Sequence, residues 1–195
     1  NKTLPTAGSV PSYTCTLGKW TLFSANDGLT GQELWRTDGT PPGTERVVDL
    51  KPGLPSSSPQ YLTRLGDRVL FIAISPPSVR DLWRTDGTQA GTVRVRNLHT
   101  TEFSRPIGGK VYFPGFSNAN GTELWVTDGT DAGTTMVADI EPGTTGSFPR
   151  EMTQVPGTQW FVFSAVEATT GREIWISDGT AAGTQLVADL WPDPS

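Results

Sequence analysis

The 195-residue chain has few of the side chains that form cross-links or catalytic sites, with one cysteine, Cys15, and one histidine, His99. A single cysteine cannot close a disulfide within the chain, so stability must rest on packing. Because Cys15 lies in an apolar and threonine-rich run, we predict a buried, inert thiol. His99 lies in a short linker with no nucleophile motif or glycine-rich phosphate loop near it. The sequence therefore gives no support for catalysis.

Long apolar runs and basic clusters are also lacking. No stretch approaches the ~20 apolar residues of a membrane-spanning helix, so we predict no membrane insertion. The formal net charge is -5 and the 15 basic residues are scattered, which argues against a nucleic-acid partner. The chain is instead rich in turn-forming residues, with 22 glycines and 16 prolines. This composition favours an all-β protein of many short strands.

One block of sequence occurs four times. Its tryptophans are spaced 48, 42 and 50 residues apart, at Trp35, Trp83, Trp125 and Trp175. A phenylalanine stands 12 residues before each tryptophan and an apolar residue 15 after it, so the block from Phe23 to Leu50 recurs without insertion or deletion. Insertions are tolerated in surface loops, whereas a one-residue slip in a paired strand moves every side chain to the wrong face. The block is therefore predicted to be a sheet.

Each repeat contains four short strand patterns; in the second repeat they are YLTRL, RVLFIAI, DLWRTD and VRVRNL. Adjacent apolar residues such as Leu34 and Trp35 break strict alternation, which indicates sheets covered on both faces. We predict one all-β domain over residues 1–195, a β-propeller of four four-stranded antiparallel blades, with repeats at about 11–50, 60–98, 102–140 and 148–190. Four blades could form a closed ring, half of an eight-bladed ring made by two chains, or half of a longer array.

The acidic residues of the repeat have a structural explanation. Four of them precede Gly-Thr at a predicted hairpin tip, where Asp accepts backbone N–H bonds and Gly supplies a positive φ: Asp38, Asp86, Asp128 and Asp178. The later glycines are expected to adopt a positive φ as well: Gly43, Gly91, Gly133 and Gly183. The acids at the start of each third strand are expected to accept bonds from loop backbone or from arginine: Glu33, Asp81, Glu123 and Glu173.

Calcium is the alternative explanation of these acids, since hard cations bind several carboxylate and carbonyl oxygens together. One Asp per turn is too few, and the second repeat has Asn97 where the others have Asp49, Asp139 and Asp189. We therefore predict no catalytic residue, no metal site and no cofactor. The repeated tryptophans are predicted to pack between blades, with a sugar-stacking platform as the alternative. Trp191 is expected to be exposed.

The motifs ELWRTDGTPPGT, ELWVTDGTDAGT and EIWISDGTAAGT resemble the ELWxxDGT repeat of bacterial surface and secreted proteins. The resemblance covers residues 13 to 192. The second repeat departs from the pattern, with Asp81 for Glu and Asn97 for Asp. The resemblance implies a propeller-like extracytoplasmic bacterial protein, either secreted or on the cell surface. It implies no catalytic residues.

The leading functional hypothesis is a non-catalytic binding or assembly module. Variable loops on a rigid scaffold are where binding is usually placed, and four segments of unlike composition fit this role: 24–32, 73–81, 115–122 and 164–172. Their candidate ligand-binding residues are Asn26, Asp27, Arg80, Asn118, Asn120, Glu167 and Arg172. A protein partner or self-association is expected before a glycan. The alternatives are a sialidase- or glycosidase-type propeller hydrolase and a structural subunit of a surface layer or filament.

Overall fold

The computed structural model describes residues 8–53, 55–76, 79–100 and 102–192, and every regular element in these ranges is a β-strand. The strands are β1 (Ser12–Leu17), β2 (Trp20–Asn26), β3 (Gln32–Thr37), β4 (Glu45–Val48), β5 (Gln60–Leu65), β6 (Arg68–Ser75), β7 (Val79–Thr85), β8 (Val93–Arg96), β9 (Val111–Ser117), β10 (Gly121–Thr127), β11 (Thr135–Ala138), β12 (Arg150–Gln154), β13 (Phe161–Glu167), β14 (Gly171–Ser177) and β15 (Gln185–Ala188).

The strands form four antiparallel sheets, each made of strands that are consecutive in the chain. Sheet 1 contains β1 to β4, sheet 2 β5 to β8, sheet 3 β9 to β11, and sheet 4 β12 to β15. Phe23 pairs with Trp35 in sheet 1, and the equivalent Phe–Trp pair recurs in the other three sheets. The prediction of an all-β chain of repeated meanders is therefore confirmed.

Sheet 3 differs from the prediction, because it has three strands rather than four among the described residues. The expected first strand is replaced by an irregular segment that pairs with β9 only through isolated contacts such as Thr100 with Gly115. Pro114 explains the difference. It occupies the position at which Ser24, Ile72 and Ser164 pair with the first strands of the other sheets. Proline has no N–H to donate, so the ladder is interrupted there.

A β-bulge interrupts the pairing of the third and fourth strands in every sheet. In sheet 1, Leu34 pairs with Val48 and Trp35 with Arg46, which leaves Val47 without a partner. The same irregularity recurs in the other sheets, so each has a bulged valine: Val47, Val95, Val137 and Val187. A bulge redirects side chains locally. The first three valines are 6–7% exposed.

By contacts between Cα atoms the chain divides into two compact units, residues 1–97 and 98–195. In the first unit, Leu22, Leu34 and Val47 of sheet 1 form one core with Val69, Phe71, Ala73 and Trp83 of sheet 2. In the second unit, residues of sheet 3 including Leu124, Val137 and Ile140 form a core with Phe161, Phe163, Ala165 and Trp175 of sheet 4. We call the Leu/Val face of a sheet its downstream face and the Phe/Trp face its upstream face.

The two cores share one design, in which a downstream Leu/Val face packs on an upstream Phe/Trp face. Trp83 packs against the first core, and Trp175, 8% exposed, belongs to the second. The predicted role of these two tryptophans in packing between sheets is confirmed. Trp191 is 82% exposed, as expected.

Candidate functional site

The Asp of each third-to-fourth-strand turn holds that turn closed. In sheet 3, Asp128 Oδ1 accepts bonds from Thr130 N at 2.8 Å and Thr130 Oγ1 at 2.7 Å. Thr130 Oγ1 in turn accepts a bond from Gly133 N at 2.9 Å. The same three bonds recur in sheets 1, 2 and 4. The structural role predicted for these four Asp residues is therefore confirmed.

Ionised Asp is the favoured state in these turns. The threonine two residues after each Asp donates bonds that hold the pKa of the carboxyl below its ordinary value, and the bond from its hydroxyl has the largest effect. This applies to Asp38, Asp86, Asp128 and Asp178. A carboxylate that accepts hydrogen bonds is stabilised in its charged form. These groups are anchors of the turn and stay charged at neutral pH.

The two glycines that recur in each turn have different roles, and one prediction about them is wrong. The first glycine has φ of 91° at Gly39 and 88° at Gly87, as expected. The later ones, Gly43, Gly91, Gly133 and Gly183, are not in the left-handed region. A Cβ at any of these four positions would overlap the carboxylate of the turn Asp. Glycine is required there because the Asp side chain fills the space.

The acid at the start of the third strand ties its sheet to the linker that follows. Glu33, with 0% exposure, accepts bonds from Leu50 N at 3.1 Å, Ser57 N at 2.8 Å and Ser57 Oγ at 2.5 Å. Glu123 is likewise fully buried and accepts bonds from Ser147 N at 2.8 Å and Ser147 Oγ at 2.6 Å. Burial raises the pKa of both carboxyls, and the serine bonds oppose that rise.

The same position has other partners in sheets 2 and 4. Asp81 Oδ2 accepts bonds from Ser75 Oγ and, at 3.4 Å, from Arg94 Nη1. The expectation of loop-backbone or arginine donors holds for Asp81 through Arg94. Glu173 is 7% exposed, and among the described residues one donor reaches it, Leu190 N at 3.2 Å. Sheet 4 therefore has the acid without the serine.

The predicted binding loops are shorter than expected, because their strands extend further. Pairing continues to Asn26–Gln32, Ser75–Val79, Ser117–Gly121 and Glu167–Gly171. The tips are residues 27–31, 76–78, 118–120 and 168–170, of which 77 and 78 lie outside the described residues. Four of the seven candidates lie in strands, Asn26, Arg80, Glu167 and Arg172, and the other three lie in the tips, Asp27, Asn118 and Asn120.

Several candidates bind their own sheet or linker. Asp27 Oδ1 accepts bonds from Leu29 N and Thr30 N, both at 2.8 Å. Arg80 Nη1 donates to Gln60 Oε1 at 2.9 Å, and Arg172 Nη1 donates to Phe148 O at 3.2 Å. These three side chains support the local fold, so their freedom to bind a ligand is reduced.

The remaining candidates are Asn26, Asn118, Asn120 and Glu167. Asn26 Oδ1 accepts a bond from Gly28 N at 2.7 Å, and Asn120 Nδ2 donates to Asp139 Oδ2 at 2.8 Å. Glu167 Oε2 accepts a long bond of 3.4 Å from Thr170 Oγ1. Asn118 is exposed at its tip. Asn118 and Glu167 are therefore the candidates best placed to contact a partner.

A cavity of about 450 Å³ in the second unit was not predicted. It lies beside the irregular segment that replaces the first strand of sheet 3 and is lined by Glu102, Phe103, Ser104, Arg105, Ile107, Glu151, Met152, Thr153 and Gln154. Glu102 Oε1 is buried there without a hydrogen-bond partner, and burial raises the pKa of this carboxyl. Pro114, within a strand pattern, was the sequence signal for this irregularity.

The other predicted features have these positions. Cys15 is half-buried rather than fully buried, because β1 is the outer strand of sheet 1, and burial raises the pKa of its thiol. His99 is exposed, and its carbonyl accepts a bond from Phe116 N at 3.0 Å. Within the described ranges, no group of three or more His, Cys, Asp or Glu side chains could hold a metal. No helix in the described part of the chain could span a bilayer.

Solved structures with a similar fold include a hydrolase, the propeller domain of a protease and a peptidase. A puromycin hydrolase is 16% identical to this chain with a TM-score of 0.61, and the match covers 97% of this chain and 30% of the hydrolase chain. The β-propeller domain of the Trilobed protease from Pyrococcus furiosus, which has an open velcro topology, is 15% identical with a TM-score of 0.61, covering 96% and 57%. An acylaminoacyl peptidase from Pyrococcus horikoshii is 16% identical with a TM-score of 0.55, covering 90% and 26%.

These similarities concern the fold. The chain has a β-propeller-like fold of four antiparallel sheets and spans less than two thirds of each of these proteins. Identity this low carries no activity from one protein to another, because one fold hosts many functions. No protein-family model and no curated protein matches the sequence.

Proposed function

We propose that this chain is a non-catalytic binding or assembly module of a secreted or cell-surface bacterial protein. Its four sheets would be the blades of a propeller, forming either a closed four-bladed ring or half of an eight-bladed one. One observation carries the proposal: the acids shared by the repeats bind the chain's own turns and linkers. Asp128 and its equivalents in the other sheets hold turns, and Glu123, like Glu33, binds the linker that follows its sheet.

The surface proposed to bind is the set of tips between the second and third strands. These tips differ in composition while the sheets beneath them repeat, which suits recognition of an irregular partner surface. Asn118 is exposed and Glu167 is only weakly bonded within its tip. A protein partner is favoured over a glycan. The resemblance to ELWxxDGT-repeat proteins supports the secreted or cell-surface location.

The test compares two double variants of the purified chain on an array of glycans and of bacterial extracytoplasmic proteins. Asn118→Arg with Glu167→Arg changes the proposed tips. Ala132→Arg with Ala182→Arg places two arginines on exposed turns between the third and fourth strands instead. We expect specific binding that the first variant loses and the second retains.

Two results would count against the proposal. Equal loss of binding in both variants would remove the tips as the site. Turnover of glycoside or peptide substrates by the purified chain, abolished by Glu102→Gln or Glu151→Gln in the cavity, would establish a hydrolase instead.

A further inference from the structure

The downstream face of sheet 4 is more exposed than the same face of sheet 3, which is part of a core. Val187 is 54% exposed and Leu190 71%, while their equivalents in sheet 3, Val137 and Ile140, are both 7% exposed. Ile174 is also partly exposed, although the equivalent Leu124 is fully buried.

Among the described residues, an acid at the start of the third strand of sheet 4 lacks the serine partner that its equivalents have in sheets 1 and 3. Glu33 and Glu123 each bind the N–H and hydroxyl of the serine 24 residues further along the chain, Ser57 and Ser147. Glu173 is nearly as buried and is reached by Leu190 N at 3.2 Å. Glu173 therefore occupies the repeat position at which Glu33 and Glu123 bind a serine that is followed two residues later by proline.

The chain itself carries a third copy of that serine segment, at its other end. Ser9-Val10-Pro11 aligns with Ser57-Ser58-Pro59 and Ser147-Phe148-Pro149. The central residues share a left-handed φ of 41°, 47° and 48°. The serine carbonyls also accept equivalent backbone bonds, from Asn26 N at 3.0 Å, Ile74 N at 2.7 Å and Val166 N at 2.7 Å.

This third segment is folded like the others but is not covered. Ser57 and Ser147 are 0% exposed and their prolines are buried, whereas Ser9 and Pro11 are exposed. Phe23, on the upstream face of the same sheet, is partly exposed, while Phe71 and Phe163 are 0% and 1% exposed. Sheet 1 therefore presents an upstream end of the kind that sheets 2 and 4 bury.

We propose that the downstream face of sheet 4 binds the upstream end of sheet 1 of a second copy of this chain. Ser9 of the second copy donates its N–H and hydroxyl to Glu173, and Val187, Leu190 and Ile174 pack against its Phe23 face. The contact reproduces the packing of sheet 1 on sheet 2 and of sheet 3 on sheet 4. Because it joins two different surfaces, it is heterologous and forms a closed ring or a filament.

This inference deepens the assembly role in the proposed function and names its partner as a second copy. The test measures the mass of the full 195-residue chain by light scattering and sedimentation over a wide concentration range. We expect complexes of two or more copies. Val187→Asp buries a carboxylate in the contact and should weaken association about a hundredfold or more. Ser9→Arg should do the same, because the equivalent serines are fully buried.

Val93→Asp is the matched control. Val93 is 38% exposed in the fourth strand of sheet 2, lies outside the proposed contact, and should leave the mass of the complexes unchanged. The circular dichroism of all three variants should match that of the original chain, since each substituted side chain is exposed in the single chain.

A mixture of the two weakened variants distinguishes a heterologous contact from a symmetric one. Ser9→Arg retains an intact downstream face and Val187→Asp retains an intact upstream end, so together they should form a two-chain complex held by one contact. A chain that stays monomeric at all concentrations overturns the inference, as does a mixture that stays monomeric or a Val187→Asp variant that still associates.

The failure of this inference is separable from failure of the proposed function. A monomer that binds an array partner through its tips retains the module role without the contact. A mixture that assembles while no tip-dependent partner is found retains the contact without the tip-binding role.

Discussion

The turn of sheet 2 gives a quantitative prediction, because its later glycine is required by a side chain rather than by backbone conformation. Gly91 is not at positive φ, but its added Cβ would lie far inside 3.0 Å of the Asp86 carboxylate. The carboxylate must then move away from Thr88 N and Thr88 Oγ1, which lie at 2.8 and 2.6 Å. At this exposed site the two bonds together contribute about 1–2 kcal/mol.

Gly91→Ala is therefore expected to lower the free energy of unfolding by about 1 kcal/mol. This value already includes the ~0.5 kcal/mol of stabilisation that a Gly→Ala change gives by restricting the unfolded chain. In an Asp86→Ala background there is no carboxylate to displace. There the same substitution should be neutral or stabilising by about 0.5 kcal/mol, a coupling of about 1.5 kcal/mol between the two positions. Denaturant unfolding of the four variants, followed by tryptophan fluorescence, measures this cycle.

Gly87→Ala is the control in the same turn. Gly87 has φ of 88° and no atom closer than 3.8 Å to an added Cβ, so its substitution should cost about 1–2 kcal/mol from backbone strain whether or not Asp86 is present. Additive effects of Gly91→Ala and Asp86→Ala, to within about 0.5 kcal/mol, would refute the proposed reason for Gly91.

Three further predictions concern single side chains. Glu123→Ala leaves buried donors at Ile140 and Ser147 unsatisfied and should lower the free energy of unfolding by more than about 2 kcal/mol. Glu173→Ala should lower that of the monomeric chain by less than about 1 kcal/mol. Equal losses of stability in thermal unfolding would contradict this. The Thr130 hydroxyl lowers the pKa of Asp128 in the folded chain. The ionised Asp128 therefore stabilises the fold fully above its unfolded pKa of about 3.9, and this stabilisation is lost as the pH falls through the lower folded pKa. The stability difference from Asp128→Asn should therefore shrink on acidification, and a pH-independent difference would exclude this cause. Burial raises the pKa of Cys15, so iodoacetamide at mildly alkaline pH should alkylate it more slowly in folded than in unfolded chain, and equal rates would oppose this.

Much of the candidate site could be predicted from the repeats, because turn chemistry is local. The bonds of Asp128 to Thr130 link residues two apart, and Asp-Gly-Thr indicates such a turn directly. The role of Gly133 could not be inferred in this way. Its requirement comes from the space taken by the Asp128 side chain, and the sequence alone does not give that proximity.

The seven candidate binding residues show a second limit of sequence reasoning. Composition alone distinguishes variable tips from repeated strands, but not whether a polar side chain is free. Arg172 binds Phe148 of a linker and Arg80 binds Gln60 of β5, each 20 or more residues away, so their engagement depends on tertiary contacts. The cavity beside Glu102 likewise depends on Pro114 interrupting a ladder 12 residues further along the chain.

The sequence by itself determined the all-β repeat, the four sheets and the turns, because each of these depends on side-chain alternation and on bonds between near neighbours. Only the tertiary structure decided which of four equivalent acids binds a serine and which of four equivalent valines is covered. Glu123 and Glu173, like Val137 and Val187, occupy identical positions in their repeats. They differ because burial depends on the sheet that packs against each position, and a repeat motif carries no information about its neighbours.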